Sequence, residues 1–233
     1  IGQHDLKRLL AYSSVENIGI IVMGIGVAAI GRSLGRPDLV ALGLGGALLH
    51  VWNHGLFKGL LFLSAGAVIH ATHTREIDHL GGLGRRMPLT SAAFLVGAVA
   101  ICGLPPLNGF VSEFLVYSGL FRATMMRGEV SWLATALAAP CLALVGALAT
   151  ACFVKVFGAV FLGQARSHHV DHAHESGAWM LVPMGVLAGL CAFIGLFPDL
   201  VSPFLDHAVK AWAPEMKTPP VAAAAPLRWI GIG

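Results

Sequence analysis

Apolar residues fill this chain in long blocks separated by short polar segments, with little of the alternation that marks half-buried strands. The first block extends from about Ser13 to Ile30, with Ser13 or Ser14 placed to cap a helix. After a turn (GRSLGRPD), a second block runs from about Leu39 to His70, longer than one crossing requires. Tilt, or a local break among Gly43, Gly45, Gly46, Gly55, Gly59 and Gly66, absorbs the excess. A third block, about Leu89 to Phe121, is interrupted at Leu104 to Gly109 (LPPLNG). Pro105 and Pro106 remove backbone donors and clash with the preceding turn, so the helix must break before Gly109. The fourth block is Trp132 to Leu162, kinked at Pro140, and the fifth is Trp179 to Leu200. The pattern predicts one all-α transmembrane domain over residues 1–233, a polytopic helix bundle with one discontinuous helix. Residues 201–233 read as an interfacial amphipathic segment followed by the start of a further apolar one.

Composition agrees with this reading. Only 12% of residues are charged, about half of what a soluble domain carries. The net charge of +3 is spread over loops, and no basic stripe with interleaved aromatics suggests nucleic acid. Six basic residues (Lys7, Arg8, Arg75, Arg85, Arg86, Arg166) fall on one side of five crossings and five (Arg32, Arg36, Arg122, Arg127, Lys210) on the other, favouring the first side as cytoplasmic. The chain opens on Ile1 and closes on LRWIGIG, which reads as part of a longer protein.

Against the apolar background the polar residues stand out. His50, His54 and Lys58 lie at i, i+4 and i+8 within LLHVWNHGLFKGLLFLS, forming a stripe on one helix face. Lys58 is about 18 Å from the helix end at His70, too far to snorkel, and an intramembrane charge costs about 2.5–3.5 kcal/mol on insertion scales. Such a residue marks a functional site by default. Glu113 follows the LPPLNG break by about one turn, where broken backbone must be buried in protein or line a hydrated cavity. The four residues have the chemistry of a proton relay, with Glu113 as partner of Lys58. Glu16 reads either as an interfacial carboxylate favoured by a helix dipole or as a buried proton site. Lys155, near a helix end, is better placed to snorkel than to carry protons.

Other chemistry finds little support. The loop carrying His168, His169, His172 and His174 has the composition of a metal site but no closing ligand spacing, so a solvated loop is favoured. Cys102, Cys141, Cys152 and Cys191 sit in apolar runs without paired spacing and read as small buried hydrophobes. HVWNH lacks the glutamate of a zinc-protease motif, and no nucleotide-binding, haem or iron–sulfur spacing occurs. No cofactor or metal is expected in this chain.

Three stretches in order, DLKRLLAYSSVENIGI, LLHVWNHGLFKGLLFLSAGAVIHATHTREIDHLGGLGRRMP and GLPPLNGFVSEF, resemble the antiporter-like membrane subunits shared by respiratory complex I, energy-converting hydrogenases and Mrp cation/proton antiporters. The resemblance covers about Asp5 to Tyr117, and the glutamate in YSSVENIGI is most similar to the hydrogenase-4 component B and formate hydrogenlyase type. It implies a partial copy of an inverted-repeat fold with broken helices, in a prokaryotic inner membrane. His50, His54 and Lys58 match the central relay of one half-channel, and Glu113 the ionisable position on its broken helix. The other half-channel would lie upstream of Ile1. The resemblance further implies partner membrane and redox subunits, the latter carrying iron–sulfur clusters and either nickel–iron or flavin. Three functions stay open: a proton-translocating subunit of a membrane oxidoreductase, an Mrp-like cation/proton antiporter subunit, or a structural anchor whose polar stripe only packs.

Overall fold

The computed structural model describes residues 2–126 and 131–227, with nothing assigned to the side chain of Ser131. Arg127 and the LRWIGIG tail beyond Leu227 lie outside the described residues. The fold is all-α: α1 (Leu6–Ser33), α2 (Pro37–Thr72), α3 (Pro88–Ile101), α4 (Asn108–Thr124), α5 (Ser131–Phe161), α6 (Ala178–Leu196), α7 (Ser202–Trp212) and a single turn α8 (Val221–Ala224). Among the described residues, α1, α2, α5 and α6 are long and apolar enough to cross a membrane.

The first helix starts earlier than its apolar block suggested. Asp5, not Ser13 or Ser14, is the N-cap, its Oδ1 accepting from the Arg8 backbone N–H at 2.8 Å. The polar look of DLKRLL hides an inward face, since Leu6, Leu9 and Leu10 are buried. Ser13 is thereby carried to the third turn of α1, with its side chain available for other work.

The long second block is one unbroken helix. Its 36 residues span about 54 Å and end on His73, in the left-handed conformation at φ 54°. No break occurs at its glycines; instead Gly24 of α1 and Gly43 of α2 let those helices approach closely. α2 is the axis of the bundle, packed against α1, α3, α4, α6 and α7.

The break falls where the prolines required it. α3 ends at Ile101, α4 begins at Asn108, and the Pro105–Pro106 peptide between them is cis. At about 21 Å, α3 is too short to cross a bilayer alone. Gly109 lies against the Ala100 carbonyl, and Gly195 of α6 against the backbone of Pro106 and Leu107, so neither position has room for a Cβ. The irregular backbone is therefore enclosed by its own helices, as lipid surroundings demand.

The two loops at the α1 N-terminal end are tied together. Residues before α1 pair with the segment after α2 (Leu6 N to Arg75 O, 2.9 Å; Ile77 N to His4 O, 2.8 Å). The histidine-rich loop keeps His168, His169, His172 and His174 exposed, as expected of a solvated loop, and is also pinned to the bundle. Glu175 caps α3 by accepting from the backbone N–H of Leu89 (2.7 Å) and Thr90 (3.3 Å) and from the Thr90 hydroxyl (2.5 Å), and Val170 is buried. At the opposite end, amphipathic α7 turns Leu205 and Val209 inward, and Arg32 of α1 pairs with Glu215 at 2.8 Å.

Candidate functional site

The site is a chain of hydrogen bonds, part-buried at Ser13 and buried from His50 onward, joining α1, α2 and the start of α4. Lys58 points from α2 toward α1, where its Nζ donates to the Leu10 carbonyl and to Ser13 Oγ (2.6 Å). These are helix-interior oxygens on a neighbouring helix, reached only because α1 begins at Leu6. One turn further along α1, Asn17 donates from Nδ2 to the Ser13 carbonyl at 2.8 Å. Its Oδ1 is thereby left to accept from His50 Nε2 at 3.1 Å. His50 Nδ1 faces Ser112 Oγ of α4 at 2.9 Å. Asn53, one turn from His50, donates to Ser112 Oγ (3.1 Å) and to the Asn108 carbonyl (2.7 Å), while Asn108 Nδ2 donates back to Asn53 Oδ1 (3.1 Å). The path thus runs from a buried lysine to the first turn of the helix after the break. Asn17, His50, Asn53, Asn108 and Ser112 are fully buried.

Counting protons around His50 shows what the arrangement can do. In the neutral ring, Nε2–H donates to Asn17 and the Ser112 hydroxyl donates to Nδ1. In the cation, Nδ1–H donates to Ser112 Oγ, whose own hydrogen turns to the Gly109 carbonyl 3.0 Å away. Both states are satisfied without moving a heavy atom. A buried histidine that only packs has no use for such a second acceptor.

The remaining sequence-derived residues gather around this chain. His54 stands edge-on to Phe57, ring centroids 5.6 Å apart, and its Nε2 is buried without a hydrogen-bond partner among the described residues. The charges of neighbouring members of the His50, His54, Lys58 stripe act on one another. Glu113 lies one turn past the break with its carboxylate against Gly103, where φ is +61° and a Cβ would strike the carboxylate oxygens. Gly103 therefore supplies both the turn and the space for the acid.

The expected pairing of Lys58 with Glu113 is replaced by a three-member arrangement. Glu16, nearly three turns into α1, acts electrostatically on both Lys58 and Glu113. It is not in a first turn, so the helix-dipole reading of Glu16 falls with the revised start of α1. Lys155 sits on the exposed side of α5, while Phe153 and Val156 face inward. His168, His169, His172 and His174 line a surface cavity of ≈ 550 Å³ together with His70 and His73. Among the described residues no group of three or more His, Cys, Asp or Glu is arranged to hold a metal. Cys102 and Cys191 are buried, Cys152 partly so, but Cys141 is exposed on α5, against the expectation of four buried cysteines.

Sequence reasoning missed Ser13, Asn17, Asn53, Asn108 and Ser112. Their signal was faint: Asn17 follows Ser13 by four residues, Asn53 follows His50 by three, and Ser112 follows Asn108 by four, each pair sharing a helix face.

Comparison with known proteins places this geometry. Residues 1–139 match the family described as NADH:quinone oxidoreductase/Mrp antiporter, TM, and the chain belongs to that family of membrane proteins. Among its relatives, hydrogenase-4 component B of Escherichia coli K12 is 45% identical over 224 residues, 96% of this chain and 33% of the relative. Formate hydrogenlyase subunit 3 of the same organism is 44% identical over 207 residues, 89% of this chain and 34% of the relative. The fold matches a chain of respiratory complex I from Thermus thermophilus at TM-score 0.67 and 27% identity, covering 91% of this chain and 40% of that one. The chain spans about a third of the length of the two curated relatives it matches. It is a partial copy of the antiporter-like fold, a multi-pass membrane bundle with one discontinuous helix.

Proposed function

We propose that this chain is part of a proton-translocating membrane subunit of a multisubunit oxidoreductase, of the hydrogenase-4/formate hydrogenlyase or NADH:quinone type. The observation that carries this reading is the hydrogen-bond path from Lys58 through the hydroxyl and carbonyl of half-buried Ser13 to Asn17, and on through buried His50 to Ser112 and Asn108 at the helix break. α3 and α4 together make one interrupted crossing, and the relay residues are His50, His54, Lys58 and Glu113, with Glu16 between the last two. Partner subunits in a prokaryotic inner membrane carry the redox chemistry, on iron–sulfur clusters and either nickel–iron or flavin. Its energy drives changes in which relay member holds a proton.

Two relatives named for hydrogenase and formate hydrogenlyase, each more than 40% identical, support the oxidoreductase assignment. The family also includes Mrp antiporters, so cation/proton antiport powered by an ion gradient is the second reading. The test uses the full-length protein in its assembled complex, reconstituted in vesicles. Lys58→Ala and Glu113→Gln should each lower proton uptake by about a hundredfold while subunit assembly stays intact. Unchanged uptake at unchanged assembly overturns the relay and leaves a structural anchor. Uptake that requires a sodium gradient and no redox substrate would favour the antiporter.

A further inference from the structure

Between α1 and α5 lies a groove of ≈ 350 Å³, with Gln3, Tyr12, Ser13 and Glu16 beside the apolar Leu9 on its α1 side, and Ala149 and Cys152 between the larger Leu148 and Phe153 on its α5 side. It begins at Gln3, beside the aqueous end where His4 pairs with Asp78 on an exposed surface at 2.5 Å. It follows α1 inward for about 20 Å to Glu16. Its volume is room for on the order of ten waters. Four of the five residues on its α1 side (Gln3, Tyr12, Ser13 and Glu16) carry polar groups, Leu9 being the apolar one, and a carboxylate facing lipid at that depth would be costly. The small side chains of Ala149 and Cys152 keep the opposite wall back. At the inner end, Ser13 is also the hydroxyl that receives Lys58 Nζ at 2.6 Å, so groove and relay share a residue.

We propose that the α1–α5 groove is a water-filled access path through which protons reach the Glu16 carboxylate from the Gln3 side and pass to Lys58. This rests on the relay reading of Lys58. The step is balanced without electron transfer: a proton from groove water binds Glu16, then moves to the Lys58 amine, leaving carboxylate and ammonium. Glu16 and Lys58 act on one another electrostatically, so a proton gained by one changes the other.

Native cysteines supply the probe. The full-length complex in vesicles is treated with a charged, membrane-impermeant methanethiosulfonate, and the labelled cysteine is located by peptide mass spectrometry. Cys141, exposed on α5, is the control for a lipid-facing thiol. Cys152 should react at least about tenfold faster than Cys141, and Gln3→Trp, which narrows the groove at its aqueous end, should abolish the difference. Glu16→Gln should leave Cys152 labelling unchanged and lower proton uptake by about a hundredfold. Cys152 reacting no faster than Cys141, as it would if lipid or a partner helix fills the groove, overturns the proposal. So does wild-type uptake in Glu16→Gln. Lys58→Ala reports separately: normal uptake there, with loss in Glu16→Gln, overturns the relay through Lys58 and retains the groove as the access path to Glu16.

Discussion

Replacing Ser112 by alanine removes one oxygen that serves four neighbours at once. It faces His50 Nδ1, accepts from Asn53, and lies within reach of the Gly109 and Asn108 carbonyls. The loss falls unevenly. Asn53 keeps its bond to the Asn108 carbonyl and its reciprocal bond with Asn108, so it stays paired. A neutral His50 ring keeps Asn17 and merely leaves an acceptor nitrogen empty. A cationic ring has a buried N–H with no acceptor, a penalty of about 1–3 kcal/mol. If His50 carries the proton in transit, that penalty enters the barrier and slows transfer by about 5- to 150-fold, at roughly 1.4 kcal/mol per decade. The resting fold should lose only about 1 kcal/mol. The assay is initial proton uptake by vesicles holding the assembled complex, beside the thermal midpoint of the same preparation. Ser64→Ala is the control: that hydroxyl is equally buried, on α2, but donates to its own helix at Leu60 O (2.8 Å), outside the path. Uptake should fall in Ser112→Ala and hold in Ser64→Ala at similar stability. Equal rates in the two variants would refute the two-state account of His50.

Two further substitutions probe the frame around the site. Gly103→Ala places a Cβ on the Glu113 carboxylate in a left-handed residue, and should cost about 1–2 kcal/mol in thermal stability together with a loss of uptake; a variant as stable and active as wild type would show that the break tolerates a different path. Glu175→Ala removes the side-chain cap of α3 and should lower stability by about 1–2 kcal/mol without changing the uptake rate per assembled complex; detergent-solubilised thermal melts with parallel uptake measurements check both halves of that statement.

The parts of this site that could be read from the chain were those the bilayer makes expensive. His50, His54, Lys58 and Glu113 stood out because charge and imidazole are rare in apolar runs, and Pro105 with Pro106 because no helix passes through them. Ser13, Asn17, Asn53, Asn108 and Ser112 did not stand out, since small polar side chains are common in membrane helices and serve packing as readily as chemistry. Which of them meet is decided by helix rotation and crossing, for which the sequence offers only weak spacing cues. The start of α1 was misplaced for a different reason: Lys7 and Arg8 masked an inward leucine face. That error displaced Ser13 from helix interior to cap and concealed the contact with Lys58. The length of α2 was legible, but not that it would continue unbroken through its glycines, of which Gly43 is packed against the backbone of Gly24 and Ala28 in α1.

The hydroxyl of Ser112 answers equally to a bare or a protonated His50. A junction of that kind has no preferred direction: it hands charge forward or back with the same small reorientation. Rectification must then come from elsewhere, from whatever raises or lowers the two ends. The same geometry of bonds would serve a machine that spends redox energy to expel protons and one that lets protons in to expel another ion. Reversibility is built into the serine.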